Sequence, residues 1–162
     1  MTSQPQAIPA TFQEYACTSF GATEEQLTLR TNFPQSEPLG ATQVRIKVRS
    51  AALNPVDWKL LEWGAQLFPT TPTANAPFRI IFDAADTVVE LGSSVKDAFA
   101  LGDAVYTLMP FTDFGTVGEF IAVDVQFVAP KSNSLDFAQA ASVPLAGLTS
   151  YQALITLRRL QC

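Results

Sequence analysis

The chain has 162 residues, 48% hydrophobic and 15% charged, which suits one folded domain and excludes a disordered chain. A formal net charge of −5, with no basic cluster, argues against a nucleic-acid partner. There is no histidine and there are only two cysteines, Cys17 and Cys162, so imidazole-based nucleophilic catalysis is excluded and neither a zinc site nor a disulfide framework is expected.

Residues 1–10 read as a loose polar leader without a basic, apolar signal. "TFQEYACTSF" and "QLTLRTNF" follow as short strands. "TQVRIKVRSAAL" is the clearest strand. Its period-2 pattern places Val44, Ile46 and Val48 on a buried face and Arg45, Lys47 and Arg49 on a solvated one. "PVDWKLLEWG" reads as a short helix with Pro55 at its first position and Gly64 as a stop. A loop of small residues and prolines leads to "FRIIFDAADTVVELG" and "LGDAVYTLM", both β-rich. "GTVGEFIAVDVQFVAP" is expected to be one long β segment ended by Pro130.

After Lys131 the texture becomes helical. "SLDFAQAASV" is expected to be capped by Ser134, to hold Asp136 in its first turn, and to be broken by Pro144. A last helix, Leu148 to Leu160, puts Leu148, Tyr151 and Ile155 on one apolar face. The order predicts a mainly β protein: a small barrel or curled antiparallel sheet with short helices and a C-terminal helical exit. No G-x-G-x-x-G stands between a strand and a helix, so a Rossmann domain is not expected within these residues. No apolar run is long enough for a membrane span, and a cytoplasmic protein is expected.

Three stretches carry a family resemblance: "AALNPVDWK", "VVELGSSVKDAFALGDAVY", and "GTVGEFIAV" continuing through "VAPKSNSLDFAQAASVPLAGLTSYQAL". Together they resemble the N-terminal part of a zinc-independent medium-chain dehydrogenase/reductase of the quinone oxidoreductase type. The resemblance implies a GroES-like catalytic domain over 11–145. It also implies that 146–162 is a linker helix leading into a nucleotide-binding domain missing from this chain. NADPH is the implied cofactor, a quinone or enone the implied small-molecule substrate, and self-association a further expectation. Zinc-dependent relatives carry a cysteine ligand near the place of Asn54, so no zinc is implied.

The candidate site residues come from the same stretches. Asn54 either turns the chain before Pro55 or orients a carboxamide or a substrate carbonyl. Asp57 caps the short helix or faces the cleft, and the cap is the favoured reading. Trp58 is a pocket wall or core. Lys59 supplies positive charge to a developing oxyanion or is merely solvated, the latter favoured. Thr149 matches a position beside the nicotinamide, or its hydroxyl is satisfied in its own turn. Tyr106, Tyr151 and Lys59 are the protein's candidate proton donors.

Two positions depart from the family pattern. It usually has glycine two residues before the aspartate matched by Asp83 and again three residues after it, where this chain has Ile81 and Asp86. Those side chains are expected to remove room near the cleft. The expectation is therefore a truncated NADPH-dependent quinone/enone oxidoreductase with little activity of its own. The alternative is a non-catalytic GroES-like binding or oligomerisation module.

Overall fold

A computed structural model describes residues 7–35, 38–95, 97–111 and 115–157 of the chain. The first two strands, β1 (Thr11–Ala16) and β2 (Thr28–Pro34), pair as an antiparallel hairpin. A one-turn helix, α1 (Thr23–Gln26), lies between them and was not apparent in the sequence. Five further strands form one antiparallel sheet. They are β3 (Gln43–Ala52), β4 (Asp83–Leu91), β5 (Ala104–Leu108), β6 (Phe120–Asp124) and β7 (Val128–Pro130), in the order β6-β3-β4-β5-β7.

That order curls the sheet. β6 and β7 are its opposite edges, yet only Val125–Phe127, one 3₁₀ turn, joins them. Four Cα steps reach at most about 15 Å. In a flat sheet the two edges would stand about 19 Å apart. The edges must bend toward each other, which makes a barrel-like shell without closing its hydrogen-bond ladder. The expected single long β segment is thus two strands. The break falls where the Asp124 carboxylate accepts a hydrogen bond from the Gln126 N–H at 3.1 Å.

Val44, Ile46, Phe82, Val88, Val105 and Ile121 fill the inside of the curl. The expected solvation of Arg45 is corrected here, because its side chain is only 1% exposed. The period-2 alternation of β3 is real, but at this end the hairpin covers the second face too. The Arg45 Nε donates to Glu90 at 2.7 Å and its Nη1 to the Gln35 Oε1 at 2.7 Å. Arg49, at the other end of β3, is exposed as expected.

The hairpin is fastened by a second buried charge group. Glu14, on β1, lies 3.3 Å from Arg79 and 3.5 Å from Arg30. Burial raises the Glu14 carboxyl, while the two guanidinium groups oppose that shift. Burial also lowers Arg79 to about 10, against the pull of Glu14. Cys17 is a buried free thiol pushed up to about 11 by desolvation, a packing residue rather than a nucleophile. Cys162 lies outside the described residues.

Among the described residues, four α-helices decorate the shell. The second, α2 (Pro55–Leu67), runs past the expected stop at Gly64 and buries Asp57, Leu60, Leu61 and Gly64, spaced for one helical face. The third, α3 (Phe137–Ala141), is capped by Asp136 and not by Ser134. Asp136 accepts from the Gln139 N–H at 2.7 Å while the Gln139 side chain accepts from the Asp136 N–H at 3.0 Å. Ser134 sits too early to reach that turn. Pro144 does not only end α3; it opens the fourth helix, α4 (Pro144–Tyr151), as the first helical residue. Wider turns carry the exit on through Gln152–Leu157. Residues 158–162, including Leu160, lie outside the described residues.

The segment before β4 is irregular backbone, and Ile81 in it has a φ of 64°. A β-branched residue in that left-handed region is strained by roughly 1–2 kcal/mol. Three bonds hold it there. The Ile81 N–H donates to the Asp57 Oδ1 at 2.9 Å, and its carbonyl accepts from the Thr116 N–H at 2.6 Å and hydroxyl at 3.1 Å. Gly115 permits the approach, since a Cβ there would meet the Ile80 carbonyl oxygen at 2.3 Å. The Ile81 side chain packs with Cys17, Leu61 and Ile80. Both truncations of Ile81 lose those contacts, but only glycine relieves the backbone. Ile81→Gly is therefore expected to unfold in urea with roughly 1 kcal/mol more stability than Ile81→Ala. The reverse order would show that residue 81 is not held in the left-handed region.

Candidate functional site

The expected site residues divide at the first turn of α2. A helix that starts with Pro55 leaves its first N–H groups without intrahelical partners, and an acidic residue at the third position answers them. Asp57 occupies that position. Its Oδ2 accepts from the Asn54 N–H at 2.6 Å and its Oδ1 from the Ile81 N–H at 2.9 Å. With 1% exposure, both its oxygens are committed to backbone. Burial raises its carboxyl above the ordinary aspartate range, and the two N–H donors offset part of that rise.

Asn54 is directed by the next strand. Its Nδ2 donates to the Asp83 Oδ2 at 2.9 Å and to the Ala52 carbonyl at 3.2 Å. Both amide hydrogens are thus engaged, and what the side chain retains for a ligand is the remaining acceptor capacity of its carbonyl oxygen, which faces the Asp57 N–H in the capping box. Asp83, at the start of β4, is fully buried. Its second oxygen accepts from the Leu145 N–H at 3.0 Å, in the first turn of α4. One carboxylate therefore joins α2, β4 and the exit helix. Burial pushes it up to about 6, Asn54 and the Leu145 N–H oppose this, and the neighbouring Asp57 adds to it.

Sequence reasoning used Asp83 only to align the motif and missed this role. The signal was present: one acid inside "IIFDAA", a run otherwise apolar enough to be buried. Asp86 is also buried, opposite Val48 and Val105 in the ladder. Its Oδ2 lies 3.7 Å from Arg49, and burial raises its carboxyl against that charge.

Thr149 lies one helical turn beyond Leu145 and is exposed. Asp83 thus bonds Asn54 directly and holds the start of the helix that carries Thr149. Trp58 and Lys59 are not part of it. With Asp57 facing inward, helical geometry turns its next two neighbours away. Trp58 is 41% exposed and packs edge-on against Trp63 at 5.5 Å, with the Lys59 ammonium 5.7 Å from its ring centre.

Beside the exit helix lies an open, mostly apolar depression of about 520 Å³, bordered by Tyr106, Leu108, Phe127, Val143 and Leu148. Leu148, Tyr151 and Leu154 are exposed along α4 and its continuation. Among the described residues no three His, Cys, Asp or Glu side chains gather as a metal site. Nor is any described helix long and apolar enough to cross a membrane.

A curled antiparallel shell, a helix docked at its end and an exit helix pinned to the same carboxylate describe a GroES-like domain. Comparison with known proteins gives the family. The alcohol dehydrogenase GroES-like domain matches residues 40–133. The chain is 35% identical over 159 residues to the 2-methylene-furan-3-one reductase of Solanum lycopersicum, covering 94% of this chain and 39% of that protein. It is 36% identical over 155 residues to the chloroplastic NADPH-dependent alkenal/one oxidoreductase of Arabidopsis thaliana, covering 92% and 38%. The quinone oxidoreductase from Coxiella burnetii superposes with a TM-score of 0.77 at 31% identity, over 91% of this chain and 45% of that one. The chain belongs to the alcohol dehydrogenase GroES-like domain family, in its quinone oxidoreductase-like branch. It spans about two fifths of the length of these curated relatives.

The raised Asp83 carboxyl has a definite consequence for stability. Its folded value of about 6 exceeds the unfolded value of 3.8, so the folded state binds the proton more tightly. The stabilisation from that proton is present below about pH 4 and is lost as pH rises through about 6. Asp83→Asn removes the titration and keeps an acceptor. Between pH 4 and pH 7 the variant is expected to gain on the wild type by on the order of 2 kcal/mol in urea unfolding. A difference that stays flat over that range would place the Asp83 carboxyl at its ordinary value.

Proposed function

We propose that these residues are the substrate-side domain of an NADPH-dependent reductase acting on an enone or a quinone. The observation that carries the reading is the hub at Asp83, which orients Asn54 and fixes the start of the helix bearing Thr149. Bound NADPH would supply the hydride. The chain's own part is to orient and to shield. The Asn54 carbonyl oxygen, with both amide hydrogens engaged, would accept from a carboxamide N–H and hold a nicotinamide ring in register. This favours carboxamide orientation over polarisation of a substrate carbonyl for Asn54. Thr149 adds an exposed hydroxyl one turn further along the helix that Asp83 holds. Trp58 and Lys59, on the outer side of α2, would meet substrate only at its rim. Tyr106 borders the apolar depression and Tyr151 is exposed, so both remain candidate proton donors.

On the same reading, residues 1–162 by themselves would show little or no turnover. They contain no glycine-rich turn at a helix N-terminus for a pyrophosphate, and they span 39% of the tomato reductase. The purified chain is expected to show no saturable NADPH binding by nicotinamide fluorescence and no oxidation of NADPH with 1,4-benzoquinone or an enone. A chimera carrying the remaining domain of the tomato reductase should regain turnover, and Asn54→Ala should lower its kcat/KM by about tenfold or more. Turnover by the 162 residues alone would overturn that expectation. A folded, NADPH-binding chimera that is inactive, or indifferent to Asn54→Ala, would overturn the assignment of the site.

A further inference from the structure

The curled sheet has a second covered face. On β3 and β6, Gln43, Arg45, Phe120 and Ala122 share the side opposite the core residues Val44, Ile46, Ile121 and Val123. The β1–β2 hairpin lies over that side, and the paired Phe12 and Phe33 line the space beneath it. The cavity between the two layers measures about 410 Å³, within the range of small-molecule sites. Its lining includes none of Asn54, Asp57, Asp83 or Thr149, so it does not depend on the reductase reading.

Polar struts keep the layers from closing on it. Glu14 on β1 lies 3.3 Å from Arg79, whose Nη1 donates to the Phe120 carbonyl on β6 at 3.4 Å. Arg45 on β3 donates to Gln35, just past the end of β2, at 2.7 Å. Closing the gap would break these buried pairs and strand their charges. Ala122, opposite Arg45 in the ladder, is too small to fill the space.

Aromatic rings wall the cavity. Phe12 meets Phe33 edge-on at 5.6 Å and Phe120 at 6.0 Å, with planes 85° and 77° apart. Rings set this way offer both faces and edges, against which a further aromatic ring packs well. Phe33, Gln43 and Ala122 are half-buried and Pro34 is exposed, so the lining keeps open surface for an occupant to cover.

The charged groups of the lining already have partners. Arg45 pairs with Glu90 and Gln35, and Arg79 with Glu14 and the Phe120 carbonyl. A charged occupant would lose its water and gain no unpaired counter-charge among the described residues. An uncharged ring displaces water from an aromatic wall, which is favourable.

We propose that this cavity binds a flat, uncharged aromatic molecule of naphthalene size, packed against Phe12, Phe33 and Phe120 and over Ala122. The test is titration of the 162-residue chain with 2-naphthylmethanol, read by calorimetry and by the Ala122 methyl resonance. Saturable binding that moves that resonance is expected. The anionic and cationic analogues, 2-naphthoate and 2-naphthylmethylammonium, should bind about tenfold more weakly or worse. The saturated decahydro analogue should lose roughly threefold or more, because it lacks the ring-on-ring contacts. Ala122→Phe should fill the space and abolish binding with the circular dichroism spectrum unchanged. If that variant misfolds, Ala122→Leu serves in its place and should weaken binding by at least about fivefold. The proposal is overturned by absence of naphthylmethanol binding, by a charged or a saturated analogue that binds as well, by unchanged binding in the folded Ala122 variant, or by shifts confined to the depression at Leu148.

Discussion

A buried carboxylate must be paired, hydrogen-bonded or protonated, and that requirement organises the working end of this domain. Asp57 and Asp83 lie close enough to raise one of them further, and among the described residues no cation pairs with either. They are stabilised by the donors they gather: the Asn54 N–H and Ile81 N–H for Asp57, and the Asn54 amide and Leu145 N–H for Asp83. Each donor belongs to a different piece of chain. The start of α2, the irregular segment before β4 and the exit helix are therefore placed by the same two side chains. Ile81 shows the strength of the requirement, since a β-branched residue accepts a left-handed backbone there to present its N–H to Asp57.

The opposite side of the shell solves a similar problem with ion pairs. Arg45 would be solvent-facing by the alternation of β3 if the sheet stood alone, whereas Glu14 shares the buried face of β1 with Phe12 and Ala16. The hairpin and the curled sheet cover one another, so both side chains are trapped between layers. Glu14 takes Arg79 and Arg30, and Arg45 takes Glu90 and Gln35. Removing one partner of such a group strands the other, so these clusters fix the register of hairpin on sheet more than they add net stability.

These two devices leave the exit helix anchored at its start and open along its side. Leu145 is held by Asp83, while Leu148, Tyr151 and Leu154 are exposed beside an apolar depression. Among the described residues that helix is thus fixed at one end and leaves an apolar side uncovered.

The sequence by itself determined the class and most of the strands. Alternation in "TQVRIKVRSAAL", the Gly-Asp turn before β5 and the Asn-Pro start of α2 are local signals, and local backbone preferences express them wherever the chain folds. It also gave the residues around Asn54 and Thr149 through their motifs. What it did not show is which acid would be buried, because burial depends on what covers a face. Arg45 looks solvated until the hairpin lies over it. Asp83 looks like one more strand residue until Asn54 and Leu145, 29 and 62 residues away, close on it. The Gln35 amide becomes an unpaired donor only once Arg45 takes its oxygen. Those facts belong to long-range packing and its desolvation, which no short window of sequence contains. Tertiary structure alone therefore decided which polar groups lost their water and which partners replaced it.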